Sequence, residues 1–438
     1  MQDAFHELTR RQMLVNSGKL IVGTSLIGSF VAACGGPGSG SSPSSVTLSY
    51  WSLGYAPKGA NLTGRLVDAS ISAYQKKHAG VKVNVTSYTG DQAGATKLTQ
   101  AVQGGNTVDI FSVSSDLLPL LVKQNLVAST DDYLTASDKS DFYPALMNAV
   151  ATNGKHYAWP KWVPPVGMYL NLDIFKERGV DVPGDDWTYE EFVNIAQRLT
   201  FTRSNGQQVY GYTGVIDPGV VNTWPIIMSD GAFPLNQDNT KYTFNTPEGI
   251  SGLQKLIDLA HKYKVTPPDF GTQTVSDLTT GFSQQKIYAM YSEPSGSAAT
   301  YKSLNMNFTV KPMPIGATGK HVTAGGIGLV AIANISDQNK LKTAMDLGHY
   351  FTSAEVAHDV SGYYLAPGSR KSVTVGPPIS IFTPFVPYTY IIPIIAQWPQ
   401  IRTIIHPQLQ KAILGQLSAA DALNGPANEI NSLLTNNS

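Results

Sequence analysis

The chain has 438 residues, and its 31 basic and 31 acidic side chains cancel. At ~100–200 residues per domain this length suggests two domains, and the balanced charge excludes the basic footprint that nucleic-acid binding needs. Charged residues make up only 14% of the chain, below the usual ~25%, while Tyr and Trp are numerous, a composition that suits an uncharged polar ligand better than an ionic one.

The N-terminus reads as an export signal. Thr9-Arg10-Arg11-Gln12-Met13-Leu14 places an arginine pair just ahead of apolar residues, the pattern of the twin-arginine route. A run over 20–31 follows, too short to span a bilayer comfortably, since a transmembrane helix needs ~20 residues. It ends at Val31-Ala32-Ala33-Cys34, which resembles a bacterial lipoprotein processing site. The thiol of Cys34 would then carry two acyl chains, a stable anchor at ~0.8 kcal/mol per buried methylene. Residues 35–45 are nearly all Gly, Ser and Pro and read as a flexible tether. Cys34 is the only cysteine, so no disulfide framework is available.

From residue 46 the pattern alternates between strand and helix. Val46-Thr47-Leu48-Ser49-Tyr50-Trp51 alternates as a strand. A helix is predicted over 64–78, with Leu66, Ala69, Ala73 and Tyr74 on one face and Gly80 as its stop. Val81, Val83 and Val85 alternate again, then a helix closes at Gly104-Gly105, and the strand 108–113 follows. This is the grammar of an α/β sheet flanked by helices. A second region begins near Lys155. Residues 166–171 read as a strand, and Thr188 with Glu191 forms a capping box with Trp187 and Phe192 at the staple positions. Phe192, Ile195, Ala196 and Leu199 supply an apolar stripe. A further helix opens at Thr246-Pro247-Glu248 with proline at its first position and carries Ile250, Leu253, Ile257 and Ala260. Residues 287–291 are a short strand and 322–333 a Gly-rich one. Helices from Asn339 and Ser353 follow, and a Pro- and aromatic-rich stretch over 377–399 leads into a helical tail.

Several chemistries have no signature. There is no His-Glu-x-x-His and no cysteine cluster for zinc, no Gly-x-Ser-x-Gly elbow, and neither a P-loop nor a dinucleotide fingerprint. No cofactor and no catalytic residue is expected.

The ordered series of short motifs resembles the extracellular solute-binding proteins of family 1, the maltose- and glycerol-phosphate-binding type that serves ABC importers. It runs through Asp131-Asp132-Tyr133-Leu134, Asp141-Phe142-Tyr143-Pro144-Ala145-Leu146 and Gly154-Lys155-His156-Tyr157-Ala158-Trp159-Pro160. Met168-Tyr169-Leu170-Asn171, Phe244-Asn245-Thr246-Pro247, Gly325-Gly326 and Thr352-Ser353-Ala354-Glu355 continue it. The resemblance implies a two-lobed α/β periplasmic-binding-protein fold of type II with a hinge and an inter-lobe cleft. Its expected organisation is a signal over 1–33, a tether over 34–45, lobe 1 over 46–157 and 326–365, and lobe 2 over 158–325 and 366–438. Crossings are expected near 157–169, 322–328 and 363–367. It also implies a monomer on the outer face of the cytoplasmic membrane, anchored through Cys34, that passes a carbohydrate or polyol to ABC permease subunits. An exterior glycosidase using Asp116 and Glu293, whose carboxyls would have to lie ~5–9.5 Å apart, and a solute-sensing lipoprotein are the alternatives.

Sugar hydroxyls need multi-toothed hydrogen-bond partners, and the apolar ring face needs a flat aromatic. Trp51 ends the first strand, where it would face the cleft. Ser114 and Asp116 follow the strand 108–113 at its carboxyl end, although Asp116 could equally cap the next helix. Asp91 sits in the loop after another strand. Trp159 and Trp162 flank the first crossing, stiffened by Pro160, Pro164 and Pro165, and one of the two is expected to stack on ligand. Trp224, before Pro225, is the candidate platform from the other lobe. Glu293 ends a strand ahead of Pro294-Ser295-Gly296. Gly326 would permit close backbone approach at the second crossing, and Tyr363 and Tyr364 are candidates for stacking or for lobe packing.

Overall fold

Alternating apolar side chains make strands of Val46–Leu53 and Val81–Tyr88, which the computed structural model pairs in parallel along their whole length. The structure describes residues 45–89, 92–105 and 108–435. The expected export signal, Cys34 and Asp91 lie outside them, as does the tether except for its last residue.

The first sheet runs in the order Val81–Tyr88, Val46–Leu53, Ile110–Val113, Gly328–Ile332, Trp159–Trp162. Its first three strands are parallel, and Gly328–Ile332 returns antiparallel between its two neighbours. The second sheet is ordered Phe308–Lys311, Val166–Asn171, Tyr288–Pro294, Gln208–Thr213, Phe201–Thr202. Each sheet has its own apolar core. Trp159, Ile110, Val330 and Phe351 pack on one face of the first sheet, while Met168, Leu170, Phe192 and Met290 pack in the second. Two sheets with separate cores are two lobes.

Local signals set many of the helices. Thr188 and Glu191 close a reciprocal capping box at the start of Tyr189–Arg198, and Trp187 meets Phe192 edge-on at 5.6 Å. Such a cap is worth ~1 kcal/mol. Thr246 accepts from the Gly249 N–H with Pro247 at the first position of Pro247–His261.

The roll of two helices differs from the apolar count. In Leu62–Lys77 the buried side is Gly64, Val67, Ser70, Ile71 and Tyr74, and Ala69 is exposed. In Pro247–His261 it is Gly249, Gly252, Leu253, Leu256 and Leu259. The cause is backbone approach. A Cβ on Gly64 would sit 2.0 Å from the Ala56 carbonyl oxygen, and one on Gly252 2.0 Å from that of Ile227. The glycine side goes inward because only there can another chain segment come so close.

Strand pairing locates the crossings. Trp159–Trp162 pairs with the first sheet, so the chain leaves that lobe at 163–165 rather than at residue 158. The Gly-rich strand expected over 322–333 is two strands. Thr323–Gly325 pairs with Thr389–Ile391, Gly328–Ile332 joins the first sheet, and the second crossing is the break between them. Tyr363, Tyr364 and Val373 are buried in the first lobe, which places the third crossing near Val375, a residue that packs against clusters of both lobes. Among the described residues no helix is long and apolar enough to cross a membrane.

Candidate functional site

In open α/β sheets a ligand binds beyond the carboxyl ends of the strands. In the first lobe that position follows Ile110–Val113, where the Ser114 carbonyl accepts from the backbone N–H groups of Leu117 and Leu118 at 3.2 Å each. This turn leads into Leu118–Lys123, leaves Ser114 exposed and holds the Asp116 carboxylate clear of the core, its side chain 32% exposed.

The second lobe meets it with the helix Trp398–Ile413, whose Trp398, Ile401, Ile405 and Leu409 are buried in the second core. Arg402 projects from this helix and donates from Nη2 to Asp116 Oδ2 at 3.1 Å, bridging the lobes. Burial raises the Asp116 carboxyl above its ordinary range, and the nearby guanidinium opposes that rise. One turn along, His406 stacks on Trp224 at 5.4 Å, and Trp224 meets Trp398 edge-on at 5.8 Å. Burial, assisted by Arg402, pushes the His406 imidazole down to about 4. Arg402 Nε, both ring nitrogens of His406 and the indole nitrogens of Trp224 and Trp398 are buried without a hydrogen-bond partner among the described residues. Most buried polar atoms are paired, so these five, on Arg402 and on the Trp224, Trp398 and His406 rings, are a concentration of unused hydrogen-bonding capacity on the second-lobe side of the Asp116–Arg402 contact.

The sequence-predicted residues are distributed unevenly around this place. Asp116 belongs to it, Ser114 lies beside it, and Trp224 reaches it from the far side as a fully buried ring with no free face. Trp162 is half-buried at the first crossing, with the Lys161 ammonium 4.2 Å from its ring. Trp159, three residues earlier, is fully buried, edge-on to His349 at 5.4 Å, and Gly348 makes room for its indole. Its ring packs the core and cannot stack on a solute in this arrangement. Trp51 is 8% exposed beside Tyr88.

Glu293 is turned inward rather than toward a cleft. It is 2% exposed and accepts from Tyr301 Oη at 2.8 Å. Burial raises its carboxyl above the ordinary range against the lowering by bonds from Ser297, Tyr291 and Tyr301. Glu293 and Asp116 are therefore each engaged by their own partner. At the second crossing the close approach falls on Gly325, where a Cβ would lie 2.9 Å from the Pro164 carbonyl oxygen; at Gly326 it would meet only Ile392 at 3.8 Å. Tyr363 and Tyr364 are buried and donate to the carbonyls of Phe351 and Ser353, which is lobe packing.

Arg402, His406 and Trp398 are the participants that sequence reasoning missed. The available signal was Arg402 itself, the sole arginine after Arg370, set in a mostly uncharged helix. Among the described residues no group of three or more His, Cys, Asp or Glu could hold a metal ion.

The opposite side of the same helix faces a different space. At 3.6 residues per turn, Gln397 and Gln400 point away from Arg402, and they line a cavity of about 1520 Å³ between the lobes. Its other walls come from Leu120, Asn148 and Tyr157 of the first lobe, Phe233 and Asn236 of the second, and the strand Thr389–Ile391 with the segment after it.

Two α/β lobes joined by three crossings and bridged by a charged pair define a hinged, two-lobed protein of the periplasmic-binding type II fold. The chain belongs to the bacterial extracellular solute-binding proteins, whose family profile matches residues 69–380. It is 25% identical over 298 residues to an arabinooligosaccharide-binding protein of Halalkalibacterium halodurans, a stretch covering 64% of this chain and 62% of that relative. It is 22% identical over 402 residues to the sn-glycerol-3-phosphate-binding periplasmic protein of Pectobacterium atrosepticum, covering 85% and 88% of the two chains. Its fold is similar to that of the cyclic alpha-maltosyl-1,6-maltose binding protein from Arthrobacter globiformis, with a TM-score of 0.75, 19% identity, and 90% and 100% coverage. It is also similar to an ABC transporter solute-binding protein from Thermotoga lettingae bound with alpha-D-tagatose, with a TM-score of 0.70, 23% identity, and 89% and 100% coverage.

Proposed function

We propose that this protein captures a carbohydrate at the carboxyl ends of its two sheets and delivers it to the permease of an ABC importer. The observation that carries the reading is the lobe-bridging pair of Asp116 and Arg402, backed on the second-lobe side by buried hydrogen-bonding atoms that have no partner among the described residues. Polar atoms of this kind are what sugar hydroxyls require. Relatives whose names specify arabinooligosaccharide and cyclic maltosyl-maltose binding support the substrate class.

Ser114, Asp116, Trp162 and Arg402 are the proposed solute contacts, with lobe boundaries at 163–165, 326–327 and near 375. Closure around the solute is a population shift, driven by contacts stronger in the closed than in the open form. Export through the arginine-pair signal and anchoring through acylated Cys34 complete the reading; incorporation of a palmitate analogue that is lost in Cys34→Ser tests the anchor.

A thermal-melt panel of neutral mono- and oligosaccharides, polyols and glycerol phosphates tests the capture itself. A true solute at 100-fold excess over its Kd stabilises the fold by ~2.7 kcal/mol. A melting temperature unmoved by the whole panel would overturn the reading.

A further inference from the structure

The cavity behind the Trp398–Ile413 helix has a chemistry of its own. It is separated from the Asp116–Arg402 contact by the thickness of that helix and is walled by both lobes and by the stretch 389–397. Of its lining residues only Lys123 and Glu248 carry charge. Seven are carboxamides, among them Asn148, Asn236, Gln397 and Gln400. Three are aromatic: Tyr157 from the first lobe, and Phe233 and Tyr390, whose rings lie 5.1 Å apart at 31°.

This composition narrows the possible guests. An ionic ligand would find hardly any counter-charge, and a hydrocarbon would strip water from seven amides and return no hydrogen bond, at ~1–3 kcal/mol for each group left unmade. A carboxamide offers two N–H donors and a carbonyl acceptor, which matches the mixed donor and acceptor character of vicinal hydroxyls. Aromatic faces take up the apolar side of a pyranose or furanose. The volume exceeds the ~300–1,000 Å³ of common small-molecule sites, so several sugar rings fit rather than one.

We propose that this rear cavity is a second binding site, for a neutral oligosaccharide, distinct from the strand-end site of the capture reading. The Phe233–Tyr390 pair is its stacking platform, and Asn148, Gln397 and Gln400 are its hydroxyl partners. A guest touching both lobes is sensitive to the angle between them, so its occupancy and that of the strand-end site influence each other reciprocally.

The test uses the full chain, deuterated and labelled with ¹⁵N, and follows side-chain amide and indole N–H resonances during separate titrations with maltotetraose, cellotetraose and arabinotetraose. The expected result is saturable movement of the Asn148, Gln397 and Gln400 amide signals with at least one of the three. Phe233→Ala raises the Kd read from those signals by about tenfold or more, and Phe233→Tyr, which keeps the ring, restores it to within about threefold. Should movement be confined to the Trp224 and Trp398 indoles, the rear site is overturned while the strand-end reading stands. Movement of the rear amides alone supports the second site and counts against strand-end capture of that sugar. Stationary signals at both places with all three sugars overturn the rear site and leave the capture reading to its own melt panel.

Discussion

Arg402 Nη2 lies 3.1 Å from Asp116 Oδ2, and the two side chains are rooted in different lobes. A partly exposed pair contributes ~0–1 kcal/mol, small against folding but not against an open–closed balance, where ~1 kcal/mol is about a fivefold change in population. Arg402→Ala is expected to enlarge the solute-free protein, read as an increased radius of gyration in small-angle scattering. High salt should do the same to the parent and little to the variant. Because burial raises the Asp116 carboxyl, the tie should also weaken at a less acidic pH than an ordinary carboxylate pair would. A radius identical in parent and variant would mean that the contact does not hold the lobes together.

His406 makes stability depend on pH in a defined window. Burial holds its imidazole neutral, with a folded value of about 4 against 6.5 for the free side chain. The unfolded chain therefore binds more protons than the folded one between these values. Stability is full above about pH 6.5, falls as the pH drops toward about 4, and the loss is on the order of 3 kcal/mol. His406→Phe removes the titration and keeps a ring against Trp224. Urea midpoints at pH 7.5 and 4.5 should separate less in the variant than in the parent. Equal separation would show that His406 is not the group responsible.

Chain order and caps were legible from the sequence because they are local. The Thr188–Glu191 box, the Trp187–Phe192 contact and the Thr246-Pro247 helix start depend on residues within a few positions of one another, and each formed as read. What escaped depends on distant segments. The roll of Leu62–Lys77 is set by the Ala56 carbonyl against Gly64, so a stripe counted from apolar side chains alone misplaced it. The site divided along the same line. The place of Asp116 at a strand's carboxyl end is a local feature, whereas its contact Arg402 lies 286 residues away and meets it only after the third crossing. Trp159 and Trp162 look equivalent in sequence; the packing of distant segments buries the first fully and leaves the second, at the end of the strand, half exposed.

That last distinction can be measured. Trp159→Ala removes a fully buried indole and should cost ~3–5 kcal/mol of stability, seen in the urea midpoint, while the solute affinity of the folded fraction stays within about threefold. Trp162→Ala should show the reverse pattern, a smaller loss of stability and a weaker Kd by >1 kcal/mol if its ring is an anchor. A large affinity loss in Trp159→Ala with parental stability would contradict the core assignment.

Lys161 sets two effects against each other. Its side chain is buried, with the ammonium 4.2 Å from the Trp162 ring and 4.0 Å from that of Tyr363, and burial pushes its amine down to about 7. A desolvated unpaired cation costs several kcal/mol, whereas each ring returns ~0.5–2. Burial should therefore win, and Lys161→Met should be the more stable protein at pH 6.5, by about 2 kcal/mol after the rings are discounted. The sign of the pH dependence follows from the lowered amine. The unfolded chain binds the extra proton between about pH 7 and roughly 10.4, so the parent gains stability as pH rises through that window, and the advantage of the methionine shrinks. Denaturation of both proteins at pH 6.5 and 9.5 reads the two terms separately. A methionine variant less stable than the parent at pH 6.5 would show that the Trp162 and Tyr363 faces more than offset the cost of burying the charge.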